Sequence, residues 1–121
     1  MSSIDDLLSD LAEQGIKDAV DKLRELRAKA KTPEERLILA IFAGAVQKYG
    51  VKGVDEAQKA IKELLDGNRK MLPFVDIATE SDALIVFQKL EAGRRAELKH
   101  FVYFAADAIG AMLAAILRGI I

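Results

Sequence analysis

The strongest constraint on what this chain can fold into is its last stretch, Ala96–Ile121. It reads AELKHFVYFAADAIGAMLAAILRGII and carries acidic or basic side chains only at Glu97, Lys99, His100, Asp107 and Arg118. Alanine, leucine and methionine favour helix and no proline interrupts, so one long helix of roughly 39 Å is predicted. A membrane span has to be weighed, because Asp107 alone interrupts the apolar run from Phe101 to Leu117. That run sits at the lower length limit for a span, and a carboxylate near the bilayer centre costs about 2.5–3.5 kcal/mol. The flanks also lack a Lys/Arg cluster. Burial within protein is therefore the favoured reading, with a membrane-active, holin-like role as a further alternative.

The rest of the chain supplies helices for that stretch to pack on. Ser3 is placed to cap a first helix, with Asp6 in its first turn and Ile4, Leu7, Leu8 and Leu11 in an apolar stripe. Gly15 is expected to end or bend it. A second amphipathic helix is then expected over 16–30, so that 1–31 forms a helical hairpin. Its polar face, including the Glu25/Lys29 pair, reads as solvated.

Thr32-Pro33-Glu34-Glu35 is an N-cap, a first-turn proline and a capping box. The helix it opens, to about Tyr49, is apolar almost all round from Leu37 to Val46, the mark of a buried helix. Gly50 suits the position after a helix end. A helix follows from about Val54 to Asp66, stopped at Gly67-Asn68. This helix–glycine–helix segment invites a DNA-binding reading. Glu56 and Lys59, however, fall where that motif buries apolar residues, and the second helix is not basic.

The segment Arg69–Ser81, with Pro73, is expected to be irregular. Thr79 or Ser81 is expected to cap a helix from Asp82 to about Ala92, whose Leu84–Phe87 run suggests burial on more than one side. A break or kink is expected at Gly93. The predicted fold is all-α: a compact bundle of five to six helices, a single domain over 1–121, with 33–49, 82–92 and 96–121 as core helices.

Composition narrows the function classes. An apolar fraction of 51% with 31% charged residues excludes a disordered chain. A formal net charge of −1 gives no nucleic-acid footprint, and no such partner is expected. The absence of cysteine removes disulfides, thiolate metal sites and cysteine nucleophiles. Met1–Asp6 lacks the regions of a signal peptide, so a cytoplasmic location is expected. Asn68 is the sole asparagine beside abundant Lys and Glu, a bias that suits a thermostable or designed chain.

A helical wheel divides the last helix. Leu98, Phe101, Val102, Ala105, Ile109, Met112, Leu113, Ile116 and Ile120 form a core face. Opposite lie Lys99, His100, Tyr103, Ala106, Asp107, Gly110, Ala114, Leu117 and Arg118. Ala106, Gly110 and Ala114 follow four-residue steps, which let a second helix approach closely. Asp107 and Arg118 are too far apart to pair within one helix but are able to meet between antiparallel copies.

Tyr103, Ala106, Asp107, Gly110, Ala114 and Arg118 are thus the expected oligomer interface. Glu97-x-x-His100 has a metal-like spacing, but one histidine per chain supplies only half a di-iron set. His100 with Tyr103 and Phe104 offers an alternative: a haem or other cofactor, or a general base, in an apolar pocket that Phe101 would also line. No catalytic triad spacing or glycine-rich phosphate loop is present. The expected function is non-enzymatic: self-association or partner binding through the C-terminal helix, without a resident cofactor.

Overall fold

Thr32 and Pro33 decide where two helices meet. Thr32 is extended (φ −124°, ψ 153°), its hydroxyl accepts the Glu35 N–H at 3.2 Å, and Pro33 opens the helix that follows. The computed structural model describes residues 4–68 and 71–120, without the side chains of 4–14, 117, 119 and 120. Among the described residues it is all-helical, with five helices in the order α1 (Ile4–Lys29), α2 (Pro33–Tyr49), α3 (Lys52–Leu65), α4 (Ile77–Gln88) and α5 (Ala92–Ile120). The Ser3 cap and the side chains of Ile4, Leu7, Leu8, Leu11, Leu117 and Ile120 lie outside the described residues.

The expected hairpin over 1–31 is instead the single helix α1. Gly15 does not break it, because glycine costs only about 1 kcal/mol in a helix interior. Gly15 is itself buried, in four-residue steps with Ala19 and Leu23, so it belongs to the buried stripe of the helix. α2 is the central element and contacts the other four helices. Ile38, Ile41, Phe42, Ala45 and Val46 are fully buried, and Leu37, Ala40 and Ala43 are partly so.

α2 ends where Gly50 takes φ +69° and returns its N–H to Val46 O at 2.8 Å. α3 starts two residues earlier than expected and takes Gly53 into its first turn. A Cβ on Gly53 would sit 2.2 Å from Ala45 O, so the absent side chain is what lets α3 cross α2 at backbone contact. Gly44 plays the same part for the loop before α4, since a Cβ there would lie 2.4 Å from Phe74 O.

α4 corrects the expected boundaries at both ends. The cap is Asp76, whose carboxylate accepts the Thr79 N–H at 2.7 Å, and the helix stops at Gln88. Ala83 and Phe87 are buried, Leu84 and Val86 are half-buried, and Ile85 is exposed, so α4 has one buried face only. The chain breaks at 89–91, and Gly93 lies within the first turn of α5. The core has no buried polar or charged side chain among the described residues. Any chemistry the described side chains perform is therefore performed at the surface.

Candidate docking face on the C-terminal helix

α5 is held along both flanks. At its start the Arg94 guanidinium donates to Thr32 Oγ1 at 3.0 Å and lies 3.8–3.9 Å from Glu34 and Glu35, tying α5 to the first turn of α2. Arg94 also donates to Glu97 at 2.9 Å, and that bond, with the surrounding glutamates, holds its pKa above the usual arginine value. Arg95 donates to Leu65 O at 2.6 Å, Leu90 O at 3.0 Å and Gln88 O at 3.4 Å. A cation thus sits on the terminal carbonyls of α3 and α4, where unpaired acceptors and the helix dipole favour it. The adjacent arginine pair is therefore consumed in structure.

Further along, Lys99 pairs with Asp66 and the Lys62 ammonium lies 4.1 Å from the Tyr103 ring centroid. Arg95, Lys99 and Tyr103 follow four-residue steps, so they form one seam against α3. On the other flank, α1 and the start of α2 meet α5 around an apolar groove. Leu26, Ala30, Leu39, Phe101, Phe104 and Ala108 line it, together with Lys29 and Glu35 at its rim, enclosing about 220 Å³.

Between those flanks one face of α5 is left largely open among the described residues. Tyr103 is 50% and Phe104 73% exposed, and His100, Asp107, Ala108, Ala111, Ala114, Ala115 and Arg118 are exposed with them. The expected core face is buried or half-buried at every described position. The expected interface face is displaced. Ala106, seven residues past Lys99 and so on the flank facing α3, is 6% exposed and belongs to the core. Tyr103 is at the margin, engaged by Lys62.

The centre of the free face lies roughly 60° further round the helix, at Phe104, Asp107, Ala111 and Ala114. Phe104, Ala108, Ala111 and Ala115 are the residues that sequence reasoning assigned to neither face. Their signal was available as an apolar strip between the two, but which flank α3 covers depends on pairs such as Lys62–Tyr103, 41 positions apart in the sequence.

The pocket expected at His100 is not assembled. His100 is exposed, it does not line the groove, and Phe101 turns toward α1 while Tyr103 turns toward α3. The Glu97 carboxylate of Glu97-x-x-His100 is engaged by Arg94. Among the described residues no group of three metal-ligating side chains converges. By length and composition alone, 92–116 suffices to cross a membrane, and 28% of its most apolar window is buried within the protein. Comparison with known proteins returns no matching family model, no matching characterised protein and no matching solved structure.

Proposed function

We propose that this protein is a non-enzymatic helical module that acts by docking another helix, from a second copy or a protein partner, on the free face of α5. The observation that supports this reading is the exposure of Phe104, at 73%, within a strip of alanines that are themselves exposed among the described residues. A solvated helix face is normally rich in Lys, Arg, Glu and Asp, as on α1. Between Phe101 and Arg118 this face offers only Asp107 as a charged side chain. Aromatic anchors beside small residues suit helix-on-helix contact, because the ring supplies buried area and alanine permits close approach. An aqueous setting belongs to the same proposal, supported by the charged exposed faces of α1 and α3.

Sedimentation equilibrium on detergent-free protein tests it. Reversible self-association, or capture of a helical partner, that is weakened by Phe104→Ser is the expected result. A monomer at every concentration, with no partner retained on α5, would sink the reading. Protein that stays in solution only with detergent or liposomes would favour a membrane role instead.

A further inference from the structure

The free face of α5 has a finer order than exposure alone. His100, Phe104, Asp107, Ala111, Ala114 and Arg118 are all exposed, and their spacing alternates four, three, four, three and four residues. That is the heptad alternation of a coiled-coil seam, in which successive residues stay on one line facing a partner helix. The stripe of four-residue steps through Ala106 and Gly110 does not provide such a line, since Ala106 is in the core.

We infer that a second copy of this chain covers the face, its α5 running antiparallel across a two-fold axis that passes between positions 112 and 113. The inference rests on the docking role proposed above and names its partner. The reason is charge. Asp107 and Arg118 are the two side chains of opposite sign on the seam, and neither has an ion-pair partner among the described residues; Arg118 donates only to Ala114 O, at 3.2 Å. A two-fold axis midway between them sets Asp107 of each copy against Arg118 of the other, and the same axis sets Ala111 against Ala114.

Both ion pairs then flank a centre of methyl groups, where the two backbones approach most closely. A parallel pairing in register would instead oppose Asp107 to Asp107 and Arg118 to Arg118. Like charges on a seam are strongly disfavoured, whereas opposite charges there select register and orientation. A partner without this sequence has no reason to present a complementary pair at the same separation of about 16 Å. The apolar groove beside Phe104 lies at the outer end of the overlap, where the second copy's α5 continues past its Arg118.

Charge exchange tests this directly. Asp107→Arg and Arg118→Asp are each expected to weaken dimerisation at least tenfold by sedimentation equilibrium, and the double variant to return within about threefold of the parent. Circular dichroism confirms that each variant remains folded. The chain has no cysteine, so His100→Cys carries a single spin label. Antiparallel copies would place the two labels ~40 Å apart and parallel copies ~10 Å apart.

A dimer whose affinity ignores the single reversals, a double variant no better than the singles, or a short label distance would overturn the register while leaving docking through α5 intact. A parent protein that is monomeric yet captures a helical partner on α5 would overturn the second copy alone. A monomer that captures nothing would remove both.

Discussion

Gly53 and Gly110 both lie inside helices, although the sequence places Gly53 just before one, and the structure gives them opposite meanings. A methyl group on Gly53 would meet Ala45 O at 2.2 Å, Ala45 C at 2.4 Å and Val46 N at 2.6 Å, all backbone atoms with no flexible end to yield. Gly53→Ala must push α3 away from α2, and the strain exceeds the gain in helix propensity. A net loss of about 2 kcal/mol is expected. A methyl group on Gly110 would meet nothing within 4 Å in the folded chain. Gly110→Ala should therefore stabilise the protein by up to about 1 kcal/mol, raising Tm by a few degrees. Urea and thermal unfolding at low protein concentration read both. A neutral Gly53→Ala would mean that α2 and α3 do not cross at backbone contact. The same comparison explains why glycine alone was a poor guide: Gly15 and Gly93 both looked like breaks, and both lie inside helices.

Among the elements, α2 was legible because its signals are local: Thr32, Pro33 and Glu35 lie within four residues and Gly50 closes the far end. α4 was not, because Asp76 competes with Thr79 and Ser81 for the cap and the helix it starts exposes Ile77 on its first turn. The Asp76 cap makes its own pH signature. Hydrogen bonding from the Thr79 side chain, and then from its backbone N–H, holds the Asp76 carboxyl below the usual value, with nearby Arg27 adding to the effect. A folded-state pKa below the unfolded one gives stability that is present above about pH 4 and lost as pH falls further, through the folded pKa. Asp76→Asn keeps a capping oxygen but removes the titration. The parent's stability relative to this variant should therefore shrink between pH 5 and 2, and a difference constant across that range would refute the cap's role. The ends of α3 and α4 depend on a distant residue, since Arg95 donates to Leu65 O across 30 positions. Arg95→Ala is expected to cost about 1–3 kcal/mol in chemical denaturation. Arg95→Lys should recover only part, because an ammonium cannot reproduce the fork that reaches three carbonyls. Full recovery by lysine would show that charge alone matters there. Contacts of this kind set the rotation of α5, and so the sequence placed its core face well but its free face about 60° off.

For the whole molecule, α5 has two faces with different contents: its inner face closes the core, and its outer face carries the exposed Phe104. These faces separate experimentally. Truncating Phe104 removes little buried surface from the folded chain, because 73% of the residue is already exposed. Leu113, on the inner face, is fully buried, and Leu113→Ala should cost about 2–5 kcal/mol at any concentration. If association uses the outer face, binding adds to folding by mass action, and the parent Tm should rise by a few degrees for each tenfold increase in concentration across the dimerisation range. Phe104→Ser should flatten that dependence while leaving the dilute Tm near the parent's. Leu113→Ala should lower Tm throughout and keep a concentration slope wherever the chain remains folded. Calorimetry from about 1 μM to 1 mM, a range that spans weak to moderate association, distinguishes the two. A parent Tm independent of concentration would count against association through α5, and a large fall for dilute Phe104→Ser would show that Phe104 supports the monomer fold instead.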